Sequence, residues 1–406
     1  MGHSEPDLGH FIAPSNGSDT GPKCPECPES WNDILMPYLR DTLAFHGCYT
    51  TEDMNRHLEF FSNHVTRWLG PGPSYNPDTG LAVMKYPSSL TNDHTPFEVS
   101  CCWKSKLQSG KPIVRYVTDV IPFHLEVSRM AGFKSAIEVI ATLERVAKCP
   151  KGEFLLRAFP KLWSHITDKM IEYEQQTHSE PCKKCSPSGV FVGFDLVDSV
   201  SFAKLYWLFP ACQKTPELVQ GVRSMLASCV DHSPTNFPRL IQNWAKIENH
   251  FNSYPDILQP RMLSVDATKF PEPRVKVYAR RIFSGTNDFS DIEPHLSLNG
   301  TIPLPGAFRD TCKGLWGSLI GAEDSQPGKG PKYCLLLYEI GTGSSSKSPA
   351  EEVSAKLYVM CQEIPRVDSF VAQCLYQNCD VLQDADLIKY ELRLRELVRD
   401  DLNADT

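Results

Sequence analysis

Residues 189–209 decide the fold class and read Gly189-Val-Phe-Val-Gly-Phe-Asp-Leu-Val-Asp-Ser-Val-Ser-Phe-Ala-Lys-Leu-Tyr-Trp-Leu-Phe209. The stretch contains two runs rich in β-branched and aromatic residues, 189–196 and 201–209, with only a short link between them. Two strands joined so closely pair antiparallel, because a parallel pair needs a crossover of roughly a dozen residues or more. This segment therefore excludes a doubly wound parallel sheet.

The same arrangement, two strand-like runs followed by helical periodicity, recurs along the chain. Further strands are predicted at 97–103, 113–121, 263–267, 274–281, 315–320, 333–340 and 355–362. Apolar residues at helical spacing predict two helices within 31–69 and others at 133–146, 154–173, 216–229, 237–252 and 369–375. Closure removes the edge strands of an antiparallel sheet, so the pattern predicts an α+β fold, an antiparallel β-barrel with an outer ring of α-helices.

Composition restricts the compartment and the partners. The chain has 406 residues, 41% of them hydrophobic, and a net charge of −8, which argues against nucleic acid or an anionic membrane as partner. Residues 1–29 are polar and lack the apolar core of a signal peptide, so we expect a disordered leader and a cytoplasmic protein. The barrel domain is predicted to span 30–377, followed by a charged, helical tail over 378–406.

Three predicted strands carry the pattern Lys-x-Tyr, at Lys204/Tyr206, Lys276/Tyr278 and Lys356/Tyr358. Alternation along a strand sends each lysine and its tyrosine to the same face. If these faces point into the barrel, the interior gathers five cations: Arg115, Lys204, Arg274, Lys276 and Lys356. So many cations need a compensating anion, and a diphosphate suits arginine, lysine and tyrosine donors. An exposed sheet face, with lysines reaching water, fits the spacing equally well.

A turn feeding a strand provides the candidate acid–base residue. Asn92-Asp93-His94 and Pro96 are turn formers, and the alternation that follows places Glu98 and Ser100 on the face opposite Phe97. A carboxylate facing a concavity can accept a proton or hold an N–H or O–H donor. The alternative is a solvated glutamate on an outer face.

Sequence patterns that would indicate a metal site or another phosphate site are weak or absent. The 15 cysteines include two CxxC pairs, Cys24/Cys27 and Cys182/Cys185, but they lie far apart and have no histidine at zinc-finger spacing. A zinc-binding interaction module is therefore the least favoured alternative. No phosphate-binding glycine loop or helical carboxylate pair for Mg²⁺ is present, so we expect no metal and no other cofactor.

Together these residues resemble the fungal aromatic (indole) prenyltransferases of the dimethylallyltryptophan synthase family, from about Trp31 to Leu375. The resemblance is carried by the three Lys/Tyr faces, Arg274 and the segments 68–71, 92–98, 112–115 and 193–196. It implies a ten-stranded barrel of αββα repeats and metal-independent transfer of a dimethylallyl or longer isoprenyl group from its diphosphate. The acceptor would be an aromatic carbon of an indole-containing intermediate of secondary metabolism.

The resemblance also implies roles for single residues. Glu98 would bind the acceptor. Phe97, Cys102 and Trp103 are candidates for the acceptor pocket because they lie near Glu98 in the sequence, with an apolar strand core as the alternative. The diphosphate and prenyl chain would contact Arg115, Lys204, Tyr206, Arg274, Lys276, Tyr278, Lys356 and Tyr358. Lys356 stands where relatives often have glutamine. The sequence is compatible with a homodimer.

Two departures from the family pattern bear on activity. Relatives that prenylate C4 of tryptophan carry a lysine on the strand that here reads Gly189-Val-Phe-Val-Gly193. After Gln377 the chain is charged and helical in pattern, where relatives have a last strand pair with another tyrosine. A phenolic or polyketide acceptor, and a non-catalytic relative with a degraded C-terminus, therefore remain alternatives.

Overall fold

The computed structural model describes residues 30–46, 48–76, 78–79, 82–102, 112–122, 127–149, 155–177, 182, 184–232, 237–268, 272–283, 287–320, 331–341, 353–360 and 374. The predicted leader and the predicted C-terminal tail lie outside these residues. The described chain forms two compact units. Unit 1 comprises the described residues up to 102 and within 111–208, and unit 2 those from 209 onward.

Unit 1 combines helices with an antiparallel sheet. Its helices are α1 (Trp31–His46), α2 (Thr51–Asn63), α3 (Arg129–Ala147) and α4 (Pro160–Thr177), with a 3₁₀ helix at Val65–Leu69. Its strands are β1 (Ser74–Tyr75), β2 (Ala82–Val83), β3 (Phe97–Cys102), β4 (Ile113–Asp119), β5 (Leu155–Arg157), β6 (Val190–Val197) and β7 (Val200–Leu208). The antiparallel order is β3-β4-β6-β7, with β5 parallel to β7 and β1 paired with β2.

Local signals in the sequence explain how α2 begins and where the 3₁₀ helix ends. Thr50 Oγ1 accepts a hydrogen bond from the Asp53 backbone N–H at 3.1 Å, and the Asp53 carboxylate accepts one from the Thr50 N–H. This reciprocal capping satisfies two otherwise unpaired donors. Gly70 follows the 3₁₀ helix with φ of 67°, and a Cβ there would lie 2.7 Å from Ile121 Cγ2. Only glycine meets both demands.

The core of unit 1 lies on one face of its sheet. Phe61 of α2 packs against Phe97 and Tyr116, with ring centroids 5.5 Å apart in each pair. Tyr116 in turn lies 5.0 Å from Phe194. Because strand side chains alternate, this aromatic packing leaves the opposite face of β3, β4 and β6 for polar residues.

Unit 2 repeats the combination of helices and antiparallel strands. Its helices are α5 (Thr215–Ser228), α6 (Phe237–Ser253), α7 (Glu293–Leu296) and α8 (Gly306–Ile320), with 3₁₀ helices at Val230–His232 and Phe289–Asp291. Its strands are β8 (Leu258–Asp266), β9 (Arg274–Ile282), β10 (Tyr333–Ile340) and β11 (Val353–Tyr358), paired antiparallel in that order. Phe251 of α6 packs edge-on against Tyr338, with centroids 5.9 Å apart, and so covers one sheet face.

Within the described residues the predicted alternation of strand pairs and helices is confirmed, with two corrections; the helix predicted at 369–375 lies outside these residues except for Cys374. Residues 315–320 were expected to be a strand but form the end of α8, whose buried Trp316 and Leu319 have helical spacing. The helix expected over 154–173 starts only at Pro160, a residue well tolerated in the first turn, and is preceded by β5. None of the described helices combines the length and apolarity that a bilayer crossing requires.

Candidate functional site

In unit 1 the predicted site residues share one face of the sheet. The register pairs Ser100 with Arg115, Arg115 with Asp195, and Gly193 with Lys204. Residues opposite each other in neighbouring strands point to the same side, so Glu98, Arg115, Asp195, Lys204 and Tyr206 all face away from the aromatic core. The predicted Lys-x-Tyr geometry is therefore present here.

Asp195 organises this face. Its buried carboxylate forms an ion pair with Arg115, the guanidinium Nε lying 3.0 Å from Oδ1, and accepts a charge-assisted hydrogen bond from Lys204 on the same oxygen. Lys204 is buried too, whereas Arg115 is half-buried. We call these three residues the Asp195 cluster. Two cations share one carboxylate, so the cluster has a formal charge of +1.

Glu98 lies on the same face near the start of β3. Its side chain still reaches solvent, yet the protein around the carboxyl displaces enough water to raise its pKa above the ordinary value for glutamate. A carboxyl group with a raised pKa is suited to hold a polar hydrogen of a ligand or to exchange a proton.

Gly193 lets the Tyr206 ring and the neighbouring strand pack closely against β6. A Cβ at this position would lie 3.2 Å from the Tyr206 ring, the Tyr116 carbonyl oxygen and Val117 Cγ2. Such contacts are tighter than normal packing, so any larger residue would push the tyrosine ring or the strand. The glycine thus contributes to the shape of this polar face.

Unit 2 presents a second cluster of cations around a buried carboxylate. Arg274 contacts Asp266 through two nitrogens, Nε at 2.9 Å from Oδ1 and Nη2 at 2.6 Å from Oδ2, and Lys276 Nζ lies 2.7 Å from Oδ2. Glu339 extends the network, with Arg274 Nη1 at 3.3 Å and Lys356 Nζ at 3.6 Å from its Oε2. We call these five residues the Asp266 cluster; three cations and two carboxylates give a formal charge of +1.

Two tyrosines lie on the same face as the Asp266 cluster. The Tyr278 and Tyr358 ring centroids are 6.1 Å apart, within the range of aromatic contact. Tyr278 is buried and Tyr358 is exposed. The rings therefore form a small aromatic wall beside Lys276 and Lys356, as the shared strand faces predict.

The carboxylates were missed by the sequence interpretation, which required an external anion to balance five cations. In the structure Asp195, Asp266 and Glu339 supply part of that negative charge. A usable signal existed, because each acidic residue lies within a predicted strand or at its end. It could be interpreted only with the register, since a shift of one residue would turn the carboxylate to the other face.

The remaining predicted residues are distributed as follows. Phe97 lies on the core face, against Phe61 and Tyr116, and not on the face of Glu98. Cys102 shares the face of Glu98, and Trp103 falls outside the described residues. Cys182 and Cys185 occupy a single turn, in which the Cys185 N–H donates to the Cys182 carbonyl at 3.0 Å. Their proposed zinc partners Cys24 and Cys27 are outside the described chain.

Comparison with known proteins identifies the family. The model of the tryptophan dimethylallyltransferase family matches residues 28–389, and the chain belongs to this family. It is 25% identical to the 4-O-dimethylallyl-L-tyrosine synthase of Claviceps purpurea (strain 20.1), covering 70% of this chain and 60% of that protein. It is also 25% identical to the indole diterpene prenyltransferase idtF of Claviceps paspali, over 70% of this chain and 64% of the relative. The chain thus spans less than two thirds of the length of these relatives.

Solved structures establish the fold. The NotF prenyltransferase superposes with a TM-score of 0.64 at 19% sequence identity, covering 91% of this chain and 85% of the other. The fold is accordingly the α+β prenyltransferase barrel, an antiparallel sheet with helices outside, as expected from the alternation of strand pairs and helices. Strands β3, β4 and β6–β11 make up the antiparallel part within the described residues; any completing the predicted ten would lie outside them.

Proposed function

We propose that this protein transfers a dimethylallyl or longer isoprenyl group from its diphosphate to an aromatic acceptor. The observation that carries the proposal is the repeated use of a buried carboxylate to hold two cations beside tyrosines, at Asp195 and again at Asp266. Holding buried cations in place before a ligand arrives costs desolvation, and that cost is useful if the ligand is a polyanion. Membership of the tryptophan dimethylallyltransferase family gives the ligand its chemical class.

The donor half of the reaction needs charge stabilisation at the leaving group. The allylic C–O bond breaks, its electron pair stays on the diphosphate oxygen, and the prenyl carbon becomes a cation. Lys204, Arg115, Arg274 and Lys276 would contact the diphosphate, with Lys356 at the more exposed edge of its cluster. Because the carboxylates already orient these cations, little reorganisation is required when the charge develops.

The tyrosines would shield the allylic cation. The faces of Tyr278 and Tyr358 offer π-electron density, and Tyr206 lies on the same strand face as Lys204. Aromatic faces attract cations and keep water away from them, which favours capture by the acceptor over hydrolysis.

Glu98 would orient the acceptor by accepting a hydrogen bond from its ring N–H or O–H. The ring then attacks the prenyl cation, forming the new C–C bond, and the proton on the attacked carbon passes to the released diphosphate as base, which restores the aromatic ring. Cys102, on the face of Glu98, would line the acceptor pocket. We propose an indole-containing acceptor, in line with the indole relative, and no requirement for a metal ion because the protein's own cations balance the leaving group.

A phenolic acceptor is the second candidate. It is favoured by the relative named 4-O-dimethylallyl-L-tyrosine synthase and by the absence of lysine on β6, where the residue opposite Tyr206 is Phe191. In this case Glu98 would accept the phenolic hydrogen bond, and the bond formed would be to oxygen or to a ring carbon. Product analysis after incubation with dimethylallyl diphosphate and either an indole or a phenol distinguishes the two.

Donor binding is the first test. Titration calorimetry with dimethylallyl S-thiolodiphosphate in EDTA is expected to show binding by the wild type and at least a 100-fold loss in Arg274→Ala/Lys276→Ala. The double variant leaves the Asp266 carboxylate without these two cations, so urea denaturation of the same variant checks that the loss of binding is not unfolding. Lys134→Ala, on the exposed side of α3, is the control. A folded wild type that does not bind would support the non-catalytic alternative.

A further inference from the structure

Unit 1 contains a cavity that the proposed reaction does not use. It has a volume of about 510 Å³ and is bounded by α2, the 3₁₀ helix after it and α3. Its lining includes Arg56, His64, Arg67, Trp68, Arg145 and Cys149. The volume is in the range of small-molecule sites, roughly 300 to 1,000 Å³.

The cavity lies behind the sheet relative to the Asp195 cluster. Trp68, one of its walls, stacks on Phe194 with ring centroids 6.5 Å apart and planes within 17°. Phe194 precedes Asp195 on β6 and therefore points to the opposite face. A ligand in this cavity would contact the helical side of unit 1, separate from the polar face that holds Lys204.

The cavity is positively charged although the whole chain is acidic. Three arginines line it against one carboxylate, that of Glu59. Arg56 is already paired with Glu52 one turn earlier on α2, so Arg67 and Arg145 are the candidate ligands. Burial lowers the pKa of His64, and the charges of Arg67 and Arg145 lower it further. The two guanidinium groups thus create a positive potential where the imidazole lies.

The apolar part of the lining is aromatic. Phe60 is buried and its ring lies 5.2 Å from the ring of His64, while Trp68 is half-buried. Arg67 and Arg145 are exposed, and an aromatic ring next to arginines is the combination that holds a planar ligand by stacking and its charged group by forked hydrogen bonds.

We propose that this cavity binds an aromatic carboxylate, with the carboxylate at Arg67 and Arg145 and the ring against Trp68. It is a second small-molecule site, and its ligand need not be the prenyl acceptor. Two independent features support it: a half-open cavity of suitable size and a local cationic potential in a chain of net charge −8.

Calorimetry with indole-3-acetate tests the proposal, and indole-3-acetamide is the matched neutral control. We expect the acetate to bind at least tenfold more tightly than the amide. Arg67→Gln/Arg145→Gln should weaken acetate binding at least tenfold, whereas Lys134→Gln on α3 should not. Dimethylallyl S-thiolodiphosphate should not displace the acetate, and Glu98→Gln should leave its affinity unchanged. Equal binding of acetate and amide, or unchanged binding by the arginine double variant, would overturn the proposal.

Alkylation of Cys149 tests where the ligand binds. Cys149 lines the cavity and is exposed, and Cys212 is also exposed but belongs to unit 2. Saturating indole-3-acetate should slow alkylation of Cys149 by iodoacetamide, followed by mass spectrometry, and leave Cys212 unaffected. Unchanged labelling of Cys149 in the presence of bound acetate would place the ligand elsewhere and refute the assignment. These readouts do not depend on prenyl transfer, so either proposal can fail without the other.

Discussion

The Asp195 cluster of unit 1 and the Asp266 cluster of unit 2 both hold cations against a buried carboxylate, but they differ in how deeply the arginine is buried. In each, one buried aspartate holds two cations; those of Asp195 come from β4 and β7 on either side of it, whereas both those of Asp266 come from β9. The arginine side chain is 29% exposed in the first cluster and 12% exposed in the second, where Glu339 adds a further carboxylate. One carboxylate is therefore enough to hold two cations, and the more deeply buried arginine has a second carboxylate beside it.

The positions opposite the two lysines differ as well. Gly193 pairs with Lys204, and a Cβ there would meet close neighbours. Ser264 pairs with Lys276 and carries a side chain without strain; its buried Oγ has no hydrogen-bond partner among the described residues. Beside the first cluster the glycine therefore allows close packing of its neighbours, whereas the second cluster has a small side chain at this position.

Removal of the central aspartates should have the largest effect and would break the comparison directly. Asp266→Ala removes the carboxylate that contacts two nearly buried cations, Arg274 and Lys276, and leaves Glu339 beside Arg274, so the free energy of unfolding should fall by roughly 3–5 kcal/mol. Asp195→Ala should cost about 2–3 kcal/mol, because water can still reach Arg115. Urea denaturation at neutral pH measures both. Asp41→Ala on the exposed side of α1 is the control, and an equal loss in both variants would contradict the role given to burial.

Acid should weaken unit 2 through a buried histidine pair. Arg281 Nε, which can only donate, lies 3.0 Å from His295 Nε2, so the other nitrogen of His295 donates to His250 Nε2 at 2.9 Å. Burial lowers the pKa of His250 to about 4 and that of His295 to about 3. Both folded pKa values lie below the ordinary 6.5, so this stability is present above pH 6.5 and is lost as the pH falls towards 4.

The variant His250→Gln keeps a hydrogen-bond acceptor but cannot be protonated. We expect it to remove about 3 kcal/mol of the acid sensitivity between pH 6.5 and 4, corresponding to the shift of one histidine. Urea denaturation at several pH values measures this. An acid slope identical to that of the wild type would show that the pair is not buried as a neutral unit.

Unit 1 should respond to pH in the opposite direction. Asp119 is a buried carboxyl held by hydroxyl groups and not by cations, with Ser88 Oγ at 2.7 Å and Ser188 Oγ at 2.5 Å from Oδ2. Burial raises its pKa from 3.8 to about 6. The associated stability is complete below pH 3.8 and is lost as the pH rises through 6, a change of about 2–3 kcal/mol. Asp119→Asn should abolish this decline. The prediction is contradicted if the stability of the wild type rises between pH 3.8 and 6 and the variant follows a parallel curve.

The smallest effect is expected at the positions facing the lysines. Gly193→Ala should lower the free energy of unfolding by about 1–2 kcal/mol, because the new methyl group presses on the Tyr206 ring and the neighbouring strand. Ser264→Ala removes only an unpaired hydroxyl and should change stability by less than about 0.5 kcal/mol. Equal costs in denaturation experiments would mean that the neighbours of Gly193 give way to a methyl group.

Much of the fold was predictable because its signals are local. The short link between the runs at 189–196 and 201–209 requires an antiparallel pair, and β6 and β7 form it. The prediction failed at 315–320, where a short apolar run has no clear period. Only the packing of Trp316 and Leu319 reveals that it belongs to α8. The strand β5 was missed because three residues are too few to show a period.

The sequence alone establishes that each lysine shares a strand face with its tyrosine, because alternation along a strand needs no other part of the chain. It also limited the partners, through a net charge of −8 that confines any anion site to local basic clusters. Only the tertiary structure decided which carboxylates meet those cations. Asp195 reaches Arg115 from 80 residues away, and Glu339 reaches Arg274 from 65 residues away, because the strand register brings them side by side. Register depends on the packing of whole strands, and no single segment contains it.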